Sequence, residues 1–97
     1  MNITTYINKY KGTMANHHPD WCTPIVKCTD GFEMSVQQSD IHYSSYDSVE
    51  VGFPSSKEPL LMPFAQQPKT PTKTVYGWVP VEVIDKVILK HGGIENA

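Results

Sequence analysis

Pro24-Ile25-Val26-Lys27-Cys28-Thr29, then Asp30-Gly31, then Phe32-Glu33-Met34-Ser35-Val36-Gln37: two alternating runs flank one dipeptide. Asp-Gly in that setting is the strongest short-range hairpin signal, because a type I′ turn needs positive φ at both central residues and these two tolerate it. A two-residue loop sets Thr29 opposite Phe32, Lys27 opposite Met34 and Ile25 opposite Val36. That register predicts Ile25, Phe32, Met34 and Val36 on the core face, with Val26, Cys28, Glu33, Ser35 and Gln37 on a wet face.

Beyond the hairpin, residues 48–53 (Ser-Val-Glu-Val-Gly-Phe) read as a third strand. Val49, Val51 and Phe53 face inward and Glu50 outward, until Pro54 stops the run. If this strand extends the hairpin, Glu33 and Glu50 share the solvent face. Residues 74–79 are predicted as a fourth strand, and Pro80 fits the first position of a helix reaching Lys90. Val83, Ile84, Val87, Ile88 and His91 form one stripe of that helix, and Gly92-Gly93 ends it. At the other end of the chain, residues 4–11 are predicted as a short helix, with Thr4 or Thr5 as N-cap, Gly12 past its end, and Ile3, Tyr6, Ile7 and Tyr10 on one face. Residues 54–73 hold five prolines and make a long connection, with one helical turn at residues 60–62. The expectation is an α+β fold: a small antiparallel sheet of three to four strands, an N-terminal and a C-terminal helix on one face, and a single domain over residues 1–97.

Ninety-seven residues bury one hydrophobic core. No apolar run approaches the ~20 residues of a membrane span, and the first residues have no basic-then-apolar pattern, so the expected location is the cytoplasm. All eight basic residues are lysines. Arginine supplies the fork that reads guanine and clamps phosphate, so its absence argues against a sequence-reading nucleic-acid binder. The net charge of −2 conceals a division. Between residues 20 and 50, six acids face Lys27 alone, giving −5; elsewhere seven lysines face four acids, giving +3.

Among reactive side chains, His17, His18, Cys22 and Cys28 offer zinc-type donors, yet adjacent histidines and a six-residue Cys spacing do not match a closed tetrahedral site. No metal or cofactor is expected. A Cys22–His pair lacks a third orienting group, and Gly-x-Ser-x-Gly elbows, phosphate loops and dinucleotide fingerprints do not occur. The acids are the other candidate. On a strand, carboxylates two positions apart lie about 6.6–6.8 Å from each other, close to successive phosphates, so an acidic face can imitate a nucleic-acid backbone. Tyr43, Tyr46 and Trp78 could anchor an interface beside them.

Two resemblances bear on function. Asn16-His17-His18-Pro19-Asp20-Trp21 resembles the Asn-His-His-Pro-Glu-Trp signature of pterin-4a-carbinolamine dehydratases, which implies His17 and His18 as proton-transfer groups in a dehydration. The chain has little length for the strands that precede the helix in that family, and Cys28-Thr29-Asp30-Gly31 stands where a Thr-His-Asp segment would be expected. The layout of Trp21-Cys22-Thr23-Pro24, the hairpin, Val49-Glu50-Val51-Gly52-Phe53-Pro54, and Val75-Tyr76-Gly77-Trp78-Val79-Pro80 through His91-Gly92-Gly93 resembles small bacteriophage and prophage proteins, among them anti-CRISPR proteins that imitate DNA. That resemblance implies a non-enzymatic, stoichiometric inhibitor in the bacterial host. Its partner would be the basic, nucleic-acid-binding surface of a defence complex such as a type I surveillance complex, met through Asp30, Glu33, Asp40, Tyr43, Tyr46, Asp47 and Glu50. A passive phage interaction module is the third expectation.

Overall fold

The structure is a computed structural model that describes residues 1–17, 23–39 and 43–95, with only the backbone described at 11–17. Helix α1 (Ile3–His17) is followed by strands β1 (Val26–Lys27), β2 (Glu33–Gln37) and β3 (Ser48–Gly52), a 3-10 turn at Met62–Phe64, strand β4 (Val75–Pro80) and helix α2 (Val81–Lys90). The four strands form an antiparallel sheet in the order β1-β2-β3-β4. Ile3, Tyr6 and Ile7 of α1 and Ile84, Val87 and Ile88 of α2 share one core with Val26, Met34, Val36, Val49, Val51, Tyr76 and Val79 of the sheet. The α+β class and its two terminal helices are as expected.

The hairpin register differs from expectation by one residue. Val26 pairs with Met34 and Lys27 with Glu33, and the Cys28 N–H donates to the Phe32 carbonyl. The loop therefore has three residues. Gly31 alone takes positive φ (96°), and its N–H donates back to the Cys28 carbonyl, the arrangement of a type I turn closed by a left-handed glycine. Asp30 keeps ordinary φ because its carboxylate accepts the Phe32 N–H at 2.9 Å. The slip exchanges the faces of β1. Val26 and Cys28 are buried, and Ile25, expected in the core, is 49% exposed. Gln37, expected to be wet, is buried because its amide exchanges hydrogen bonds with the Thr23 backbone, 2.7 and 3.0 Å.

Two irregularities break the regular alternation further on. Between Val49–Val79 and Val51–Tyr76 the register shifts, so Gly77 and Trp78 together oppose Glu50 in a bulge, and Trp78 sits at φ 48°. At the far end of β3, Ser35 pairs with Gly52, yet the next backbone bond on β2 is from the Ser55 N–H to the Glu33 carbonyl, 2.8 Å. Phe53, also at φ 48°, is thereby turned out of the core face expected for it and is 61% exposed.

The helix ends follow from their capping groups. The Asn2 side chain, rather than Thr4 or Thr5, caps α1 by accepting the Thr5 N–H at 2.8 Å, and the Ile3 N–H finds Asp85 Oδ1 of α2 at 2.8 Å. At its other end α1 runs through Gly12 to His17, beyond its expected end. Pro80 closes β4 as the residue before α2, so the helix begins one position later than expected. At its C-terminus the Gly93 N–H reaches the Ile88 carbonyl and the Gly92 N–H the Leu89 carbonyl. This is a Schellman closure, and both glycines hold positive φ.

Both sheet edges are covered. Residues 93–95 lie along β1, with the Thr29 N–H on the Gly93 carbonyl (3.0 Å) and the Glu95 N–H on the Lys27 carbonyl (2.6 Å). The proline-rich segment covers β4, where the Gln66 N–H meets the Val75 carbonyl at 3.0 Å. The helical turn expected at residues 60–62 is displaced to Met62–Phe64, and Leu61 is buried. The observed register sets the expected outcome for truncation: Val26→Ala loses about 2 kcal/mol in urea unfolding, whereas Ile25→Ala loses under about 1 kcal/mol. The two-residue-loop register requires the reverse order.

Candidate functional site

The expected contact residues divide between the two ends of β2 and β3. Asp30 and Glu33 lie at the β1–β2 turn, Asp47 and Glu50 at the start of β3. Glu33 and Glu50 both alternate with buried neighbours and so face outward, but Glu50 pairs with Gln37, four residues from Glu33. That is about 13 Å along the strand. Asp40 lies outside the described residues. The structure thus brings Asp47 and Glu50 to one end and leaves Glu33 at the other.

At the Asp47–Glu50 end the bulge builds an aromatic corner. A left-handed Trp78 turns its N–H away from β3, and that N–H donates to the Tyr43 carbonyl at 2.9 Å. The Tyr43 N–H in turn donates to Glu50 Oε2 at 3.0 Å. With its backbone held on both sides, Tyr43 stacks on Trp78, centroids 5.1 Å apart and planes at 24°. Gly77 permits this approach, since a Cβ there would stand 3.3 Å from the Tyr43 Cβ. Trp78 remains 53% exposed, and Tyr43 is also exposed. Asp47 accepts the Ser45 hydroxyl at 3.0 Å, and its carbonyl receives the Val81 N–H at the start of α2. Tyr46, 97% exposed, is next to Asp47 and borders a polar cleft with Thr4, Asn8, Gln38 and Ser44.

Asp30 belongs to a different constellation. Its Oδ2 is 2.6 Å from His91 Nδ1, and His91 Nε2 is 2.8 Å from Oε1 of Glu58, which also receives Lys90 Nζ at 2.9 Å. Glu58 Oε2 accepts the Leu60 N–H at 2.7 Å. The imidazole stacks on Phe32, centroids 4.2 Å apart. Glu58 is 1% exposed. Burial alone would raise its carboxyl pKa, but Lys90, Leu60 and His91 outweigh burial and hold it below 4.5. Asp30 is held below 3.8, first by the Phe32 N–H and then by His91. Burial would lower the His91 pKa, yet Glu58 and Asp30 together raise it above 6.5. In the sequence His91 belongs to an apolar stripe and Glu58 has no evident role; the partners lie 61 and 33 positions away, and no local pattern marks them.

His17 is the last residue of α1, and its side chain and His18 lie outside the described residues, as do Trp21 and Cys22. Cys28 is buried in the hairpin, and burial followed by the Asp30 charge raises its thiol pKa above 9.0. Among the described residues no group of three His, Cys, Asp or Glu side chains could hold a metal ion, and no helix is long and apolar enough to cross a membrane. The chain matches no family model, no curated protein and no solved structure. For the Glu58 constellation the expected outcome of Glu58→Ala is a loss of about 3 kcal/mol in urea unfolding, because His91 and Lys90 lose a buried partner. A loss below about 1 kcal/mol would mean that the ion pairs contribute little.

Proposed function

We propose that this protein is a non-enzymatic binding protein that docks on a basic protein surface through the corner of Tyr43, Asp47, Glu50 and Trp78, with Tyr46 at its edge. The observation that carries the reading is Trp78 itself. A bulky residue in the left-handed region costs roughly 1–2 kcal/mol, and here that conformation displays a half-exposed indole instead of burying it. Tyr43 braces the ring, so little side-chain freedom is lost on docking. Aromatic anchors dominate interface energetics, and Asp47 and Glu50 beside them select lysine- or arginine-rich partners.

A nucleic-acid-handling surface is the kind of partner this chemistry suits, since such surfaces gather cations for phosphates. The resemblance to phage anti-CRISPR proteins fits the same contact: a stoichiometric inhibitor in the bacterial cytoplasm occupying the channel of a defence complex. The acids that would make that contact are Asp47 and Glu50, which stand at the aromatic corner, whereas Asp30 lies at the other end of the sheet with His91 and Phe32 on its carboxylate.

The test is capture from bacterial lysate at low and high salt by wild type, Trp78→Ala, Asp47→Lys and Glu33→Lys, each first shown to unfold cooperatively. The expected result is a captured protein with a basic nucleic-acid-binding surface, weakened roughly 30-fold by Trp78→Ala, also weakened by Asp47→Lys and by salt, and unchanged by Glu33→Lys. Capture that survives both Trp78→Ala and Asp47→Lys would contradict the proposal.

A further inference from the structure

Each ring nitrogen of His91 faces a carboxylate oxygen, at 2.6 Å on Asp30 and 2.8 Å on Glu58. A neutral imidazole carries one N–H, so it would leave a lone pair pointing at one of those oxygens; only the imidazolium donates to both. The groups around it come from three elements: Asp30 from the hairpin turn, Glu58 from the segment after β3, and Lys90 from its own helix. With His91 charged, two carboxylates meet two cations. As the C-cap of α2, His91 also lies where the helix dipole favours positive charge.

Immediately after His91 the chain turns to cover the β1 edge. The His91 carbonyl accepts the Asp30 N–H at 3.2 Å, the Gly92 carbonyl accepts the Thr29 hydroxyl at 3.0 Å, and Gly93 and Glu95 complete the pairing. Ile94 bridges to Cys28 and packs on the core. Gly92 and Gly93, both at positive φ, give the chain its sharp turn from helix to edge. Loss of the imidazolium proton leaves one ring N–H, on Nδ1 for Asp30 or on Nε2 for Glu58, and turns the other nitrogen's lone pair towards the remaining carboxylate. In either tautomer His91 no longer ties both the hairpin turn and the segment after β3 to the end of α2, the point from which residues 92–95 leave.

We propose that His91 is a protonation latch: as imidazolium it bridges Asp30 and Glu58 and clamps residues 92–95 over the β1 edge, and on deprotonation it lets that segment lift and open the edge. The direction of control comes from a folded-state pKa held above 6.5. Such a group contributes its full stabilisation below its unfolded value, and the contribution is lost as pH rises through the folded value. Asp30 and Glu58, with pKa values held below 3.8 and 4.5, stay ionised across that window. The latch is thus closed in mildly acidic solution and opens on the alkaline side.

Amide hydrogen exchange, corrected for intrinsic rates, tests this on the full chain. Between about pH 6 and about pH 9, protection at the Thr29 and Glu95 amides should fall at least about tenfold, while Val36 and Val51 in the sheet stay constant. His91→Gln should show reduced protection at Thr29 and Glu95 with no pH dependence. A flat wild-type profile, or a pH-dependent fall that persists in His91→Gln, would overturn the latch. If that variant does not fold, the Ile94 methyl resonance of wild type decides: it should move in step with the His91 titration, and a methyl shift independent of it would overturn the proposal.

Discussion

A carboxylate removed from water is stable only where donors surround it, and Glu58 is buried with its charge intact because Lys90, His91 and the Leu60 N–H converge on it. The segment after β3 has no strand or helix of its own before Met62 to hold it in place. Glu58 anchors it to the end of α2, Leu61 fills the core below, and Ser55 extends the pairing with Glu33. His91 relays the same charge to Asp30, whose carboxylate also shapes the hairpin turn. Turn geometry, the course of the proline-rich segment, the end of α2 and the covering of the β1 edge are thus coupled through one imidazolium.

That coupling separates the acids that the chain places close in sequence. Asp30 serves the interior junction, and the carboxylates left at the far end of β2 and β3 stand beside an exposed aromatic pair. One extra residue in β4 makes the difference there. Without the bulge, Trp78 would continue the alternation and its N–H would belong to the ladder with β3. With it, the N–H holds Tyr43 and the indole is displayed. The scaffold is regular where it packs on the helices and irregular where it offers a surface, which is how functional edges of sheets are commonly made.

Much of the fold is legible in the residues. The order of elements, the stripe of α2, its Gly-Gly ending and the inward Val49 and Val51 follow from periodicity and capping chemistry. The hairpin's position is legible but its register is not, because Asp-Gly suits both a two-residue loop and a three-residue loop ending in left-handed glycine. The choice between them goes with the Asp30 carboxylate, which takes the Phe32 N–H two residues on and His91 61 residues away. Phe53 and Trp78 read as ordinary strand residues, and nothing adjacent to them announces positive φ. Of the site, Tyr43, Tyr46, Asp47, Glu50 and Trp78 are visible as acidic and aromatic residues; that Trp78 stacks on Tyr43, and that Asp30 and Glu33 lie at the other end, follow from the register and the bulge.

All of this coupling requires His91 to be a cation shared between two carboxylates. The nitrogen-15 chemical shifts of its ring at about pH 7 report its charge state, because protonated and unprotonated imidazole nitrogens resonate in separate ranges. Nδ1 and Nε2 should both resonate as protonated nitrogens in the folded protein. One protonated and one unprotonated nitrogen, the pattern of a neutral tautomer, would refute the shared cation.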